Sequence, residues 1–436
     1  MKMHGLAITA GWLSVCQTTY LAAVVIGALV GLFLAVAYRP YPTPPKAADP
    51  AQPPAQLYVT ALVTLYNEDP AILQAALRSL VAQRRRIDQV HVIDDCSHDK
   101  AGLAAARELA ALFAKHGIDY QISENPRNLG KRKALSRGIE QSPRADVFLS
   151  IDSDTILAPD AVGALLAPFS DPTVTAAAAL VLPAKPGWSP LRLLQELQYA
   201  SLFTKRAAQT RLGSALSCCG ALAAYRADIM RENLTDYVTQ TYLGRPALTG
   251  EDLRVGNYCL RRGRVVYQES AVGYTVVPER WSHFIRQQAR WARSFQRESL
   301  WALRRQSPRK LAFWVYVFEL CGWICPFACL TIGQLTSALG YTAAAFALLM
   351  YLKAVRYPRM PRQDENSWRT FTIFLLAPVL GLMSLCVNVP VRLYAAVTPA
   401  TMKWGTRHSG VEVTSAGAAG RALLRSPAEA GSIDEY

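Results

Sequence analysis

Histidine is scarce in this sequence, and its cysteines are not arranged as in metal or disulfide sites. There are six histidines, and the nine cysteines form an odd set without CxxC spacing. Structural zinc sites need clustered Cys and His, and disulfide frameworks belong mainly to short secreted chains with paired cysteines. The sequence therefore indicates neither kind of site.

Charged residues are also few, while apolar residues are many. Asp, Glu, Lys and Arg make up 18% of the 436 residues, and hydrophobic residues make up 51%. Soluble globular domains carry about 25% charged residues. This balance predicts that part of the chain lies in a membrane.

Acidic residues are outnumbered by basic ones, 32 against 47, which gives a formal net charge of +15. Residues 280–310 contain nine basic residues and one acid, Glu298. Such clustering favours an anionic partner, which can be lipid, nucleic acid or a phosphorylated substrate.

Residues 286–298 (RQQARWARSFQRE) predict a helix with two adjacent stripes of side chains. These are Arg286, Arg290, Arg293 and Arg297, and Gln287, Trp291, Ser294 and Glu298. A solvated or lipid-facing surface is the simplest interpretation of the basic stripe.

Residues 20–38 are uncharged and about long enough to cross a bilayer. Arg39 follows, and no small-residue cleavage site lies close behind, so we expect an anchor rather than a removed signal peptide. The expected organisation is an anchor (1–39), a Pro-rich linker (40–56), an α/β domain (57–278), interfacial helices (279–310), membrane segments (311–397) and a tail (398–436).

The C-terminal part contains three apolar pieces, at 311–333, 337–353 and 370–397. Basic residues lie between the second and third pieces, which predicts a cytoplasmic link there and a hairpin formed by the first two pieces. The third piece is too short for two crossings of about 20 residues each. It is also interrupted by Pro378 and Pro390, so we expect a re-entrant or interfacial pair of short helices.

Short apolar runs alternate with amphipathic ones between residues 57 and 278. The runs LYVTALVTL, QVHVID, YQIS and ADVFLSID predict strands, and the segments 70–83, 99–116 and 131–141 predict helices between them. This alternation is typical of a doubly wound α/β sheet. Ligands of such sheets bind beyond the carboxyl ends of the strands, so the polar residues there are the candidate site.

Acidic residues follow the strands at the expected binding edge. Asp152 and Asp154 come directly after a buried strand and can both bear on a divalent cation or on a nucleotide ribose and diphosphate. A D-x-D pair alone is also common in turns, and its position gives it weight. Lys131 and Arg132 begin a predicted helix, where they can reach a diphosphate.

Glu251 and Asp252 are adjacent carboxylates that open a predicted helix running to residue 262. Helix capping is the simpler explanation of such acids. It does not explain why they belong to a series of motifs in fixed order.

That series is VTLYNE, DDCS, GKRKA, DSD, CCGALAAYR, GED, QQARW and WGTR. It resembles the processive family 2 glycosyltransferases, which make β-linked polysaccharides from UDP-sugars at the membrane, and it spans residues 57–407. RWARSFQRESL resembles hyaluronan synthases and rhizobial chitooligosaccharide synthases more than cellulose synthases. CCGALAAYR and GED are closer to the chitooligosaccharide enzymes, whereas LRVGNYCL, WGTR and FEL are closer to hyaluronan synthases. Ala221 stands where both usually have Pro, and the sugar is left open.

The resemblance implies a cytoplasmic GT-A (Rossmann-like) domain joined to transmembrane and interfacial helices. It assigns Asp252 as the general base, next to Glu251, and Asp152 with Asp154 as ligands of Mg²⁺ or Mn²⁺. The implied UDP-binding residues are Thr64, Tyr66, Asn67, Glu68, Asp95, Lys131, Arg132, Asp152, Arg290, Arg293, Trp404, Gly405 and Arg407. The implied acceptor-binding residues are Cys219, Gln287 and Trp291.

Glu319 lies within an apolar run, where a bare carboxylate costs about 2.5–3.5 kcal/mol on insertion scales. We expect it to be paired, or to line a path for the polymer.

The implied partners are a UDP-sugar donor, a growing polysaccharide and the lipid bilayer of the plasma membrane, without nucleic acid. If WGTR closes over the nucleotide, the tail lies on the cytoplasmic side and 370–397 does not cross completely. A membrane-anchored protein that binds anionic lipid or nucleic acid is the alternative of another class.

Overall fold

The computed structural model describes residues 25–42, 57–184, 187–320, 339–359 and 367–402, with a few single positions besides. The WGTR motif at 404–407, most of the linker at 40–56 and residues 321–338 of the expected hairpin lie outside this part of the chain.

Strands and helices alternate through the first half of the described chain. The strands are β1 (Val59–Leu65), β2 (Gln89–Asp94), β3 (Asp119–Glu124), β4 (Val147–Asp152), β5 (Ile156–Leu157), β6 (Val174–Pro183), β7 (Leu222–Arg226), β8 (Thr241–Tyr242), β9 (Arg245–Pro246) and β10 (Arg264–Thr275). The helices up to β10 are α1 (Val25–Ala37), α2 (Pro70–Val81), α3 (Ala101–Glu108), α4 (Ala110–Lys115), α5 (Lys131–Glu140), α6 (Ala161–Leu166), α7 (Pro190–Arg211), α8 (Ala227–Glu232), α9 (Leu234–Thr239) and α10 (Glu251–Arg262). Five more follow: α11 (Trp281–Arg305), α12 (Leu311–Leu320), α13 (Leu339–Ala354), α14 (Ser367–Leu375) and α15 (Ala377–Val397).

Eight of the strands form one sheet in the order β3-β2-β1-β4-β7-β6-β10-β5. The four strands predicted from the sequence are all present and pair in parallel, with β1 between β2 and β4. The sheet is mixed rather than wholly parallel, because β7 runs antiparallel to both β4 and β6. Every residue of β1 is buried, which explains its continuous apolar run in place of alternation.

Local sequence signals determine where the helix that follows β1 begins. The Asp69 carboxylate accepts hydrogen bonds from the backbone N–H groups of Ala71 and Ile72, and Pro70 occupies the first turn. Both features satisfy or remove donors that would otherwise be unpaired at a helix start. The predicted helix at 99–116 is divided into α3 and α4 at Leu109.

The N-terminal helix is fastened to strand β10 of the sheet. The Tyr38 hydroxyl donates to the Tyr267 carbonyl of β10 at 2.8 Å, and Arg356 pairs with Glu269 of the same strand at 2.9 Å. Arg356 also donates to the carbonyl of Ala35 at the end of α1. One strand therefore holds both the N-terminal helix and the segment after α13.

The apolar C-terminal helices differ in length. Within the described residues, α15 is the one helix long and apolar enough to cross a membrane, with 21 residues and a mean hydropathy of 1.5 over its most apolar window. The segment 370–397 does divide into two helices, with the break at Leu376 beside Pro378. Pro390, however, lies inside α15 without ending it, so the two helices are unequal rather than both short.

Candidate active site

A cavity of about 1080 Å³ opens at the carboxyl ends of β1, β2 and β4. Parallel strands bring their carboxyl ends to one edge, so the polar residues after each strand meet here. Most residues singled out from the sequence line it. They are Thr64, Tyr66, Glu68, Asp95, Lys131, Asp152, Asp154, Cys219, Glu251, Asp252, Gln287, Arg290, Trp291 and Glu319.

Three other candidate residues do not line the cavity and contact other parts of the protein. The Asn67 side-chain oxygen accepts from the backbone of His98 at 2.8 Å, which joins the loops after β1 and β2. Arg132 is buried and donates to the carbonyls of Tyr237 and Thr249. Direct contact of Asn67 with UDP and of Arg132 with its diphosphate remains a sequence prediction that these positions do not favour. Arg293 belongs to the same group and is treated with its helix below.

Asp95 shapes the loop in front of α5. Its carboxylate accepts from the side chain of Asn125 at 2.8 Å and from the backbone N–H groups of Leu129 at 2.9 Å and Gly130 at 2.7 Å. Burial raises the pKa of Asp95, while these hydrogen bonds act against that shift. The loop therefore presents the first turn of α5 to the cavity in a fixed conformation.

Lys131 lies between carboxylates in the first turn of α5. Its ammonium group donates to Asp152 and lies 3.6 Å from a carboxylate oxygen of Glu251. Burial alone would lower the pKa of Lys131, but Asp152 and Glu251 raise it above its ordinary value. A permanently charged ammonium therefore faces the cavity beside the strand-end acids, which suits it to an anionic ligand.

Asp252 occupies the first turn of α10. One of its carboxylate oxygens accepts from the backbone N–H of Gly220 at 3.2 Å and the other from that of Leu253 at 2.8 Å. Burial first, and then the like charge of Glu251, raises the pKa of Asp252 to about 6. A carboxylate that titrates this close to neutral pH is suited to general-base catalysis.

Asp152 and Asp154 border the cavity from the end of β4. Asp152 binds Lys131, and Asp154 accepts a 3.4 Å hydrogen bond from Thr275 of β10. Among the described residues, no three side chains of His, Cys, Asp or Glu converge to hold a metal ion. One or two carboxylates completed by substrate phosphates are nevertheless how Mg²⁺ is commonly bound, and the two aspartates fit that kind of site.

The helix α11 places the QxxRW residues Gln287, Arg290 and Trp291 along the cavity, and the Trp291 side chain is 42% exposed. The interpretation of its basic stripe as a solvated or lipid-facing surface is wrong for two of the arginines. Arg293 is buried and donates to Thr398 at the end of α15, and Arg297 is buried and donates to the carbonyl of Thr249. These arginines are buried because α15 and the loop before α10 cover that face of α11.

Glu319 lies at the end of the cavity nearest the apolar helices. Its carboxylate accepts from Lys205 at 2.7 Å and from Gln209 at 3.2 Å, both on α7. The expectation that this acid is paired is confirmed. Asn388 and Arg392 of α15 line the same end, so the cavity runs from the strand-end acids to the candidate membrane helix.

The contribution of α7 to the cavity was not predicted from the sequence. Tyr199, Phe203, Arg206 and Gln209 of this helix line the cavity, and Gly220 supplies the N–H that binds Asp252. No motif marks this helix. It reaches the cavity by packing on β10, and the signal that was available is the long amphipathic run just before SCCGAL.

Comparison with known proteins agrees with this geometry. The family model described as "Glycosyltransferase like family 2" matches residues 53–294. A hyaluronan synthase of Streptococcus pyogenes is 32% identical over 356 residues, covering 81% of this chain and 84% of the relative. An N-acetylglucosaminyltransferase of Rhizobium meliloti is 31% identical over 423 residues, covering 92% and 94%.

A solved structure shares the fold. The mannosyltransferase of Pyrobaculum calidifontis, determined with GDP-mannose and Mn²⁺, superposes with a TM-score of 0.53 at 20% identity and covers 87% of this chain and 97% of its own. At that identity the likeness concerns the fold alone. The family match, the relatives and the strand-end site together show that the chain is an enzyme of glycosyltransferase family 2 with a GT-A-like fold.

Proposed function

We propose that this enzyme is a membrane-embedded, processive, inverting glycosyltransferase that builds a β-linked polysaccharide and passes it across the membrane. The observation that carries this proposal is the continuity of the cavity. It extends from Asp152 and Asp252 past Trp291 to Glu319 and α15. A product made at the carboxylates thus has a lined path towards the candidate membrane helix.

Asp252 acts as the general base. It takes the proton from an acceptor hydroxyl while that oxygen attacks the anomeric carbon of an α-linked UDP-sugar, and the bond from that carbon to UDP breaks. A single displacement inverts the configuration and yields a β-linkage. The hydrogen bond from Gly220 holds the carboxylate in place for this transfer.

The donor lies with its nucleotide against Thr64, Tyr66, Glu68 and Asp95. Lys131 stabilises the negative charge that develops on the departing diphosphate. Asp154, together with Asp152, is suited to hold Mg²⁺ or Mn²⁺. When bound, such an ion offsets further diphosphate charge.

The acceptor lies at Cys219, Gln287 and Trp291, where the exposed face of the indole can stack on a sugar ring. Arg290 lines the same wall and can meet a diphosphate or a carboxylate. The catalytic domain lies in the cytoplasm at the plasma membrane, and several apolar segments cross or enter the bilayer.

The donor is UDP-N-acetylglucosamine, alternating with UDP-glucuronic acid as in a hyaluronan synthase. The alternative is a chitin-type product made from UDP-N-acetylglucosamine alone. The name of the Streptococcus pyogenes relative supports the first product, and the name of the Rhizobium meliloti relative supports the second. Neither relative decides the sugar, because the identities are nearly equal.

The test uses the purified full-length chain in lipid, supplied with each UDP-sugar singly and with both together. UDP release is measured, and the product is digested with a hyaluronidase and, separately, a chitinase. A hyaluronidase-sensitive polymer that requires both donors supports the proposal. A chitinase-sensitive product from one donor supports the alternative. Absence of UDP release from any UDP-sugar would refute both.

A further inference from the structure

Arg206 of α7 is a buried guanidinium that lines the cavity. The residue is 3% exposed. Its Nη2 donates to the Ser217 hydroxyl at 3.2 Å, while its Nε and Nη1 have no hydrogen-bond acceptor. Its carbon Cζ lies 5.4 Å from the centre of the Phe203 ring, so an aromatic face supports the group on one side.

Two other buried arginines near the site are paired with an acid, whereas Arg132 donates to backbone carbonyls and Arg293 to a threonine hydroxyl. Arg254 and Arg297 both donate to the buried carboxylate of Glu298. Lys205, the neighbour of Arg206 on α7, pairs with Glu319. Within the described part of the chain, no carboxylate pairs with Arg206.

A buried charge without a partner is costly, so such a group is usually kept for a ligand of opposite charge. The guanidinium has five N–H donors, which suit a carboxylate better than any neutral hydroxyl. Here Nη2 is fixed by Ser217, and Nε and Nη1 are buried without a hydrogen-bond acceptor. The site thus offers an oriented, desolvated cation to an incoming anion.

The position of Arg206 relates it to the sugar-binding part of the cavity rather than to the nucleotide. Ser217 belongs to the loop that continues through Cys219 to Gly220, and Gly220 donates to Asp252. The diphosphate already has Lys131, whose ammonium group binds Asp152. An anion beside Arg206 is therefore a substituent of a sugar near the base.

We propose that Arg206 binds the carboxylate of a hexuronate sugar and makes the enzyme select that sugar. This inference rests on the proposed glycosyl transfer and assigns its sugar class. The hexuronate can be the donor sugar of a UDP-hexuronate or the terminal sugar of the acceptor chain. Arg206 provides the same charge-assisted hydrogen bonds in both cases.

The experiment compares the wild type with Arg206→Gln and Arg206→Lys in the full-length chain in lipid. Arg211→Gln is the matched control, since Arg211 is exposed on the same helix. One arm measures binding and UDP release with UDP-glucuronic acid and with UDP-N-acetylglucosamine. The other measures transfer of N-acetylglucosamine to oligosaccharides that end in glucuronate or in N-acetylglucosamine.

Arg206→Gln should raise KM for the hexuronate-bearing ligand by about tenfold or more relative to the uncharged one, since a buried charge-assisted contact is lost. A loss in the first arm identifies the donor sugar, and a loss in the second identifies the acceptor terminus. Arg206→Lys should recover part of the loss, because it keeps the charge without the planar group. Ser217→Ala should produce a smaller loss in the same direction, which keeps the test usable if Arg206→Gln does not fold.

Equal losses for charged and uncharged sugars would overturn the proposal and leave Arg206 a structural residue. So would a wild type that transfers N-acetylglucosamine to both acceptors equally well and does not bind UDP-glucuronic acid, although the glycosyltransferase function would then stand. A wild type that releases UDP from no UDP-sugar would instead refute the proposed function itself.

Discussion

Arg254 and Glu298 form a buried ion pair between α10 and α11, with Nε and a carboxylate oxygen 2.7 Å apart and both side chains at most 2% exposed. The same carboxylate accepts from Arg297 at 3.0 Å and from Gln240 at 2.7 Å. Arg297 also donates to the carbonyl of Thr249, next to the start of α10. This network therefore fixes the turn of helix that carries Asp252.

Gly250 shows how closely this network approaches the backbone. Its φ is +79°, a left-handed conformation that favours glycine. A Cβ atom there would lie 2.9 Å from Nη2 of Arg297 and 3.0 Å from Cβ of Ser294. The glycine of GED is thus required by the packing of α11 against the loop before α10.

Replacing Glu298 with Gln should destabilise the fold strongly. The change leaves Arg297 buried without an acid and Arg254 with Asp236 alone, and breaking a buried pair costs about 3–5 kcal/mol. Unfolding midpoints in lipid or detergent measure the loss. Glu232→Gln is the control, because its pair with Arg262 is half exposed and worth about 0–1 kcal/mol. Similar losses for the two variants would contradict the importance of the network.

Asp252→Asn should reduce glycosyl transfer by about 10²–10⁴-fold, the usual contribution of a positioned base. Donor binding should persist, since Lys131 and the nucleotide end of the cavity are unchanged. UDP release and equilibrium binding of UDP report the two effects separately. Asp228→Asn is the control, because Asp228 is exposed on α8. Turnover like that of the wild type in Asp252→Asn would exclude Asp252 as the base.

The rate should rise with pH through about 6. Asp252 accepts a proton only when ionised, and its pKa is raised from 3.8 to about 6, so lowering the pH through that value removes the active form. The pH dependence of kcat/KM for the free enzyme measures this limb. Glu251→Gln removes a like charge that contributes to the raised pKa of Asp252. The rise of kcat/KM with pH should therefore occur at lower pH in this variant. If kcat/KM of the wild type rose with the ordinary pKa of an aspartate carboxyl group, that result would argue against Asp252 as the base.

Removal of divalent metal should lower UDP-sugar turnover, and Mg²⁺ or Mn²⁺ should restore it. Asp154→Asn should raise the metal concentration needed for half-maximal activity, because it removes one of two carboxylates suited to hold the ion. Titration of the chelated enzyme with each metal measures the change. Asp160→Asn, at an exposed residue paired with Arg84, should leave the titration unaltered. Full turnover in excess chelator would rule out a metal requirement.

A reporter fused after Tyr436 should read as cytoplasmic. The proposed topology keeps the tail on the side of the catalytic domain, so that WGTR can approach the nucleotide, and makes 370–397 re-entrant or interfacial. The length of α15 permits a complete crossing, which makes the experiment decisive. Paired reporters active on opposite sides of the membrane supply the measurement. A periplasmic signal at the tail would show that α15 crosses completely.

The parallel half of the sheet was predictable from the sequence. The apolar runs ending in Leu65, Asp94 and Asp152 are strands, because continuous burial selects β-branched and aliphatic residues along their whole length. The meeting of Asp95, Lys131, Asp152 and Asp154 follows from the rule that ligands bind at carboxyl ends. The antiparallel β7 was not foreseen, because strand direction depends on long-range pairing.

The basic stripe of α11 shows the limit of sequence periodicity. Helical spacing correctly placed Arg290 and Trp291 near a shared wall, but it could not distinguish an arginine in solvent from one under a neighbouring helix. Arg293 and Arg297 are buried because distant parts of the chain supply Thr398 and the Thr249 carbonyl as their partners. Partners so far apart in the chain are not visible in a local pattern.

The sequence by itself determined the chemistry available to this protein: strand-end acids, a lysine at a helix start, the GED carboxylates and the QxxRW motif. These are set by residue type and short-range spacing, which local geometry translates directly into position. The tertiary structure alone decided that α7 forms a wall of the cavity and that Arg206 lies there without an acid. Burial and the pairing of charges depend on which segments pack together, and packing joins residues that are distant along the chain.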